Sequence, residues 1–243
     1  MSSFSTNPPP PEKIDYVIGV IRAAVTAVPL VGGSITELFS AFFSTPVAKR
    51  RDDWFRQIAL AIVELQERHP TSTLDALQND ERFVSAVLNA TAIALRTHRQ
   101  EKLVALRNAV TNTVLLPEID EDLQAMFLNY VDLLTPWHLR VLTCLHDPDA
   151  HFRSIGSQEA WFYQKPGSKT LWSKSKSAHE LMAAAFPEVI GEWQFLSQVI
   201  HDLGQRSLVA IAGLYDSLPD VGPYTTMTGQ KFMKYIGTEA HED

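Results

Sequence analysis

Cysteine is almost absent from this sequence, in which Cys144 stands alone. A single cysteine cannot form an intramolecular disulfide, so nothing in the chain requires an oxidising compartment. No set of cysteine and histidine residues has the spacing of metal ligands, and Gly32-Gly33 lacks the following Lys-Ser/Thr of a phosphate-binding loop. The sequence therefore predicts no catalytic residue, no metal site and no cofactor.

Positive charge is also in short supply. The chain has 21 Lys and Arg against 28 Asp and Glu, which gives a formal net charge of -7. Non-specific nucleic-acid binding depends on many cations meeting phosphates, so this balance argues against it while leaving room for a local basic patch. The N-terminus has no basic segment of a secretory signal, and we expect a cytoplasmic protein of a bacterium.

No apolar run is long enough to span a bilayer, which needs about 20 consecutive apolar residues. The least polar stretch, residues 14–43, is interrupted by Pro29 and Gly32-Gly33. It predicts a helical hairpin with helices at 12–28 and 34–43. The hairpin is either packed on the helices that follow or inserted into a membrane. The candidate membrane contacts are Leu38, Phe39, Phe42, Phe43, Lys49, Arg50 and Arg51.

Helical periodicity continues through the rest of the N-terminal half. In 47–68, Trp54, Ile58, Ala61 and Leu65 recur on one face, which predicts an amphipathic helix. Further helices are predicted after Asn79 or Asp80, up to Pro117, and from Asp120. We therefore expect a tail at 1–11 and a helical bundle at 12–134.

The densest positive cluster lies at the polar break within that bundle. It can hold an anion or a partner, or it can pair with carboxylates of a neighbouring helix, for which Glu118, Glu121 and Asp122 are candidates. The cluster consists of Arg96, Arg99 and Lys102.

In the C-terminal half, Thr135-Pro136 predicts a helix start, with an N-cap hydroxyl and a proline at the first helical position. Three segments of this half carry a resemblance. LTPWHLRVLTCL at 134–145, FLSQVIHDLGQRSLV at 195–209 and YTTMTGQKFMKYI at 224–236 resemble the first helix, the recognition helix with its strand, and the post-wing segment of bacterial winged-helix domains. The resemblance implies a winged-helix-like unit at 135–237, with an insertion at 146–177, a two-stranded wing built from 207–211 and 224–227, and a tail at 238–243. The expected fold class is mainly α.

The order of parts carries a second resemblance, of layout only. An apolar hairpin, further helices and a winged helix occur in this order in uncharacterised bacterial proteins that include abortive-infection families. The similarity implies a role in phage defence, and it matches no individual motif. An oligomer is expected on separate grounds, from the lack of catalytic groups and the acidic winged helix.

The third helix of the winged-helix-like unit, 190–206, is predicted to offer polar side chains to a partner and to bury an apolar face of Phe195, Leu196, Val199, Ile200 and Leu203. In a DNA-binding unit such side chains meet base edges. The turn that follows carries Asp216 and Asp220 and no lysine or arginine, so the phosphates of DNA would repel this turn. This pattern favours a protein partner or self-association, with DNA as the alternative. The candidate contacts are Gln194, Gln198, His201, Gln205 and Arg206.

Two weaker patterns lie in the insertion. Its aromatic and lysine side chains form either a stacking platform for a nucleotide or single strand, or a loop whose rings pack on the domain. His146 and His151 flank two aspartates, Asp147 and Asp149, which is typical of a metal site or of a proline-stabilised helix end with an aspartate that caps the next turn. Taken together, the sequence favours a non-enzymatic adaptor or effector protein, with a DNA-binding regulator and a membrane-active effector as alternatives.

Overall fold

The structure is a computed structural model, and it is mainly helical, as the sequence predicts. The chain divides into two compact units, of which the first runs to Asp132 and resumes at Tyr235, and the second is Leu133–Lys234. The described residues are 11–26, 37–157, 161–164, 171–173 and 177–237, with backbone only at 24–26, 37–46, 163–164 and 171–173.

The helices of the N-terminal part follow one another through short connections. Asp80 begins one of them, because its Oδ1 accepts hydrogen bonds from the backbone N–H groups of Arg82 and Phe83 at 2.9 and 3.2 Å. Of the two caps that the sequence offers, Asp80 is therefore the one used. The helices are α1 (Pro11–Thr26), α2 (Glu37–Arg68), α3 (Leu74–Gln78), α4 (Glu81–Arg96), α5 (Gln100–Leu115) and α6 (Glu121–Leu133).

Helix α2 supplies the central apolar face of the first unit. Trp54, Ile58 and Leu65 are buried on it, as the periodicity predicts. The indole Nε1–H of Trp54 donates to Thr91 Oγ1 on α4 at 3.0 Å, so the one polar atom of this ring is satisfied inside the core. Each such side chain contributes about 1.5–3 kcal/mol through its removal from water.

The predicted break between a hairpin helix at 34–43 and a second helix from residue 47 is wrong. Helix α2 is continuous from Glu37 to Arg68 and passes through Pro46. A proline in a helix removes one backbone hydrogen bond and strains the preceding turn. The burial of the following face, from Trp54 onward, outweighs that local cost. The predicted interruption at Pro29 and Gly32-Gly33 and the predicted start of the second hairpin helix at residue 34 lie outside the described residues.

The first helix of the second unit follows the predicted N-cap, Thr135, and has Pro136 at its first helical position. Its core is formed by apolar faces of several helices, on which Leu142, Leu145, Leu196 and Ile200 are fully buried. The elements are α7 (Pro136–His146), α8 (Pro148–Ser154), β1 (Phe162–Gln164), β2 (Leu171–Ser173), α9 (Ala178–Ala185), a 3₁₀ turn (Pro187–Val189), α10 (Trp193–Gln205) and α11 (Met227–Ile236).

The two runs predicted as wing strands meet in a single isolated bridge, Val209 with Thr225. Backbone hydrogen bonds from Ala210 to Tyr224 and from Thr226 to Leu208, at 2.8 and 3.1 Å, surround that bridge. Helix α11 begins at Met227, two residues after the bridge, so the pairing cannot extend further in that direction. The antiparallel hairpin that does form, β1 with β2, lies in the predicted insertion instead.

The end of α11 completes the core of the first unit. The ring of Tyr235 is fully buried and lies 5.7 Å from the ring of Phe127, centroid to centroid. Its hydroxyl lies 3.0 Å from Thr113 Oγ1. Burial raises the pKa of Tyr235 to about 12, so the phenol stays protonated and available for that hydrogen bond.

Candidate functional site

Helix α10 is strongly amphipathic, and this decides which of its side chains reach solvent. Leu196, Val199, Ile200 and Leu203 are buried on one side of it. The helix ends after Gln205, where Ser207 adopts a positive φ of 54° and the N–H of Leu208 returns to the carbonyl of Leu203 at 3.0 Å. This closing turn satisfies a carbonyl at the helix end.

The opposite side of α10 carries the residues predicted to contact a partner. Gln194, Gln198, His201 and Gln205 are all exposed, and their spacing of three and four residues places them along one line of the helix. We call these four side chains the Gln/His stripe. The structure therefore brings together four of the five predicted contacts.

Arg206, the fifth predicted contact, belongs to the flank of the helix. It is half-buried, and its Nη1 donates to the carbonyl oxygen of Asp202 at 2.8 Å, which turns the guanidinium back along its own helix. The Gln/His stripe itself contains no lysine or arginine. A phosphate backbone would find no cation on it.

The carboxylate of Asp202 is hydrogen-bonded to the Gln/His stripe. It accepts a hydrogen bond from Gln198 Nε2 at 2.7 Å and lies 3.3 Å from His138 Nε2 on α7. Burial opposes its ionisation, but the hydrogen bonds from Gln198 and His138 and the charge of Arg206 together hold the pKa of Asp202 below its ordinary value. The stripe is consequently bordered by fixed negative charge.

The pairing of His138 with Asp202 was not predicted from the sequence. His138 Nδ1 accepts from the backbone N–H of Thr135 at 3.2 Å and lies 2.7 Å from Thr135 Oγ1, so the imidazole acts as a helix cap. A Thr–His–Asp arrangement has the order of groups found in hydrolases. Because Nδ1 accepts the hydrogen bond from the backbone N–H of Thr135, the imidazole serves the start of α7. The sequence signal for this helix cap is a polar residue three positions after Thr135.

One flank of the Gln/His stripe carries an aromatic group that we call the Trp137 cluster. The ring of Trp137 meets the ring of Phe195 edge-on at 5.9 Å, and the guanidinium carbon of Arg140 lies 4.2 Å over the same indole. Arg140 also pairs with Glu188 at 2.5 Å, and this hydrogen bond lowers the pKa of Glu188. The cluster thus presents aromatic rings and a held guanidinium.

Phe195 corrects a prediction, because the sequence assigned it to the buried face of this helix. Its side chain is 39% exposed. Successive residues of a helix are rotated by about 100°, which puts Phe195 at the margin of the face centred on Val199 and Leu203. A large apolar ring that is exposed beside a polar stripe is a signal of a binding surface. Helical periodicity alone assigns this ring to the core instead.

The other flank carries a second aromatic group, which we call the Tyr215 stack. The imidazole of His179 lies 4.3 Å from the ring of Trp193 and 5.4 Å from the ring of Tyr215, onto which it stacks at 17°. Tyr215 is 72% exposed. Since Trp193 and Phe195 lie about 100° to either side of Gln194, the two aromatic groups border the Gln/His stripe on both sides.

The predicted anion-binding cluster is neutralised by neighbours that the sequence analysis did not name. Arg96 pairs with Asp132 at 2.8 Å, and Lys102 Nζ donates to the carbonyl of Asp132 at 2.6 Å. Arg99 lies 3.5 Å from Glu101. Burial lowers the pKa of Lys102, against the opposing charge of Asp132. The cluster ties α4 and α5 to the end of α6.

The predicted membrane contacts fall into two groups. The side chains of Leu38, Phe39, Phe42 and Phe43 lie outside what the structure describes. Lys49 and Arg51 are exposed and Arg50 is half-buried on α2, and Asp52 pairs with Arg51 at 3.6 Å and with Arg22 of α1 at 3.1 Å. Within the described residues no helix has the length and apolar character needed to cross a bilayer. Membrane insertion stays a prediction.

The residues weighed for catalysis or metal binding are engaged locally. Burial raises the pKa of the Cys144 thiol to about 12, which removes it as a nucleophile at neutral pH. His146 Nδ1 lies 3.2 Å from Thr225 Oγ1, and His151 Nε2 lies 3.3 Å from the carbonyl of Ala185. Asp147 caps α8 through the N–H of Ala150. In the part of the chain that the structure describes, no three His, Cys, Asp or Glu side chains form a group that could hold a metal ion.

The rings of the insertion pack on the second unit where they are described. Trp161 stacks on the buried Phe152 at 5.7 Å, and Phe162 meets the same ring edge-on at 5.7 Å. Phe162 is itself buried. Trp161 and Phe162 therefore agree with the interpretation in which the rings of the insertion pack on the domain.

No protein-family model, no curated protein and no solved structure matches the chain. The geometry of α10 and its flanks is therefore the basis for assigning a function.

Proposed function

We propose that this protein is a non-enzymatic interaction protein whose second unit binds a protein partner through α10, in the manner of a winged-helix-like module. The order of α7, α9 and α10, followed by two extended runs that meet at Val209 and Thr225, supports the comparison with a winged helix. Helix α10 then corresponds to the helix that such modules present to their partners.

The observation that carries the proposal is the combination of the Gln/His stripe with aromatic groups on both flanks. Protein interfaces are enriched in Trp, Tyr, Phe and Arg and depleted in Lys, Glu and Asp. The Trp137 cluster and the Tyr215 stack supply those residue types, and Phe195 and Tyr215 leave 39% and 72% of their surface open to a partner. The glutamine side chains that lie between the two aromatic groups offer both hydrogen-bond donors and acceptors to a partner.

The charge of this surface favours protein over nucleic acid. Asp202 and Glu188 are both held in their ionised form by hydrogen bonds, and Arg140 is already committed to Glu188. Most contacts between proteins and DNA go to phosphate oxygens and use Arg, Lys or backbone N–H groups. On the described surface of α10, only Arg206 is cationic, and its guanidinium is bonded to its own helix.

Site-specific photo-crosslinking in the native host tests the proposal. A benzoylphenylalanine in place of Gln198 should give a light-dependent adduct with a discrete protein, or with a second copy of the chain. The same residue in place of Gln100, an exposed glutamine of the first unit, is the matched control and should give none. Phe195→Ala and Tyr215→Ala should each weaken the adduct at position 198. Equal labelling at both positions, or an adduct indifferent to both alanines, would contradict the proposal.

A second candidate function, DNA binding by a winged-helix regulator, is favoured by one observation. The side chains of Gln194 and Gln198 are exposed in register along the helix, and glutamine can bind adenine with two hydrogen bonds. Fluorescence anisotropy against mixed-sequence duplex DNA, at low and then physiological salt, separates the two functions. We expect no saturable binding at physiological salt. Binding that persists there, and is lost in the double variant Gln198→Glu with Arg206→Glu, would establish the regulator instead.

A further inference from the structure

The first unit contains a polar cavity between α2 and α5 that is separate from the surface of α10. Its volume is about 300 Å³, at the lower end of the range typical of small-molecule sites. Arg68 and His69 line it from the end of α2, and Arg107, Asn108 and Asn112 line it from α5. The two arginines and the histidine therefore bring donor side chains to a lining that also contains Glu64 and the apolar Ala61, Leu65 and Leu115.

The floor of the cavity is fixed by two buried asparagines. Asn108 Nδ2 donates to the carbonyl of Ile236 at 3.0 Å. Asn112 Nδ2 donates to the carbonyls of Tyr235 and Gly237 at 2.8 and 3.0 Å. These bonds satisfy two carbonyls in the last turn of α11 and that of Gly237 just beyond it, and they hold both amides in one orientation.

The orientation of Asn108 in turn positions a cation. With its Nδ2 committed to the carbonyl of Ile236, its Oδ1 accepts from Arg107 Nη2 at 3.1 Å and from Nε at 3.4 Å. The guanidinium of Arg107 is half-buried and is held at the cavity by this fork. A preorganised guanidinium loses less conformational freedom when it binds an oxyanion.

Positive charge at this cavity exceeds negative charge. Neither Arg68 nor Arg107 forms an ion pair with any residue that the structure describes. Glu64 lines the same cavity one helical turn before Arg68, yet the two are not paired. With Glu64 set against the two arginines, the lining keeps a net positive charge in a chain whose overall charge is -7.

We propose that this cavity is a binding site for a small oxyanion, a carboxylate or phosphate group held by Arg107 and Arg68. The planar fork of arginine matches both groups with two parallel hydrogen bonds. The anion has two possible sources. One is a free small molecule, and the other is the acidic sequence after Gly237, which contains Glu239, Glu242 and Asp243.

Isothermal titration calorimetry of the full chain with inorganic phosphate, and separately with malonate, tests this site. We expect saturable binding of at least one probe, weakened about tenfold or more by Arg107→Gln and by Arg68→Gln, because hydrogen bonds to charged groups are among the stronger ones. Arg107→Lys should bind with intermediate affinity, since it keeps the charge and loses the fork. Arg56→Gln, an exposed arginine of α2 outside the cavity, is the control and should bind normally.

The source of the anion is read from a second variant, Glu239→Gln with Glu242→Gln and Asp243→Asn. If the natural chain binds neither probe and this variant binds one in an Arg107-dependent way, the occupant is the chain's own acidic segment. Binding by the natural chain identifies a free ligand. No binding by either protein, or binding that ignores both Arg68→Gln and Arg107→Gln while the circular dichroism spectrum stays native, would overturn the proposal.

Discussion

At the scale of single residues, hydrogen bonds rather than exposed charge organise the polar part of the second unit. Asp202 lies between Gln198 on its own helix and His138 on α7, so one carboxylate links the start of α7 to the middle of α10. His138 is buried, and its other nitrogen caps α7. Removing the carboxylate affects both helices at once.

Asp202→Asn should lower the free energy of unfolding near neutral pH by about 1 kcal/mol, the usual size of a net hydrogen-bond contribution. The folded pKa of Asp202 is depressed, so its contribution is present above the unfolded value of about 3.9 and is lost as pH falls through the folded pKa. The difference between variant and parent should therefore close in acid.

Urea unfolding at several pH values between about 7 and 3 measures this difference. Asp53→Asn, at an exposed carboxylate of α2, is the control and should leave stability unchanged. If the destabilisation caused by Asp202→Asn stayed constant down to the lowest pH, it would come from the shape of the asparagine side chain and not from the loss of the carboxylate charge.

At the scale of elements, close backbone contact fixes where α11 begins. Thr226 Oγ1 accepts from the N–H of Gly229 at 3.0 Å and donates to the carbonyl of Ser207. A Cβ on Gly229 would overlap the carbonyl oxygen of Leu208 and lie 2.9 Å from its carbonyl carbon. Glycine is required here because the backbone of another segment occupies the space of a side chain.

Gly229→Ala should destabilise the protein by at least about 2–3 kcal/mol, because backbone cannot move aside as a side-chain end can. Gly19→Ala, in α1, is the matched change. A Cβ there meets nothing within 4 Å, and alanine should stabilise the helix by about 0.5–1 kcal/mol. Thermal unfolding of both variants gives the comparison. Equal melting temperatures would show that the Leu208 contact is not formed in solution.

At the scale of the whole molecule, the first unit depends on residues from both ends of the described chain. Tyr235 contacts Thr113 and Phe127, which lie more than a hundred residues earlier in the sequence. Asn108 and Asn112 bind the backbone that follows Tyr235. The core of the first unit is therefore complete only with residues that follow the second unit in the sequence.

Tyr235→Ala should cost about 3–5 kcal/mol, as large aromatic-to-alanine changes in cores do. Hydrogen–deuterium exchange should show the greatest loss of protection in α5 and α6, which carry Thr113 and Phe127. Tyr215→Ala, at a ring that is 72% exposed, is the control and should leave protection in α5 and α6 unchanged. Unchanged exchange in α5 and α6 of the Tyr235 variant would contradict this account.

Local signals explain what could be predicted of the fold and the site. Helical periodicity found the core face of α2 at Trp54 and Ile58, and Thr135-Pro136 marked the start of α7. The same periodicity placed Gln194, Gln198, His201 and Gln205 on one exposed line. It failed at Pro46, because a helix with a well-buried face tolerates one lost hydrogen bond, and at Phe195, because the margin of a face is not fixed by spacing.

By itself the sequence determined the mainly helical class, the buried stripes and the acidic surroundings of α10, because these depend on neighbours three and four residues away. The tertiary structure decided the rest, since those contacts join distant segments. It reduced the predicted wing to the Val209–Thr225 bridge, set aromatic groups on both flanks of the Gln/His stripe, and fixed Arg107 through Asn108 at a cavity. Helical spacing rules do not report contacts between separate segments, and Asn108, which holds Arg107, is itself bound to the carbonyl of Ile236, 128 residues later in the sequence.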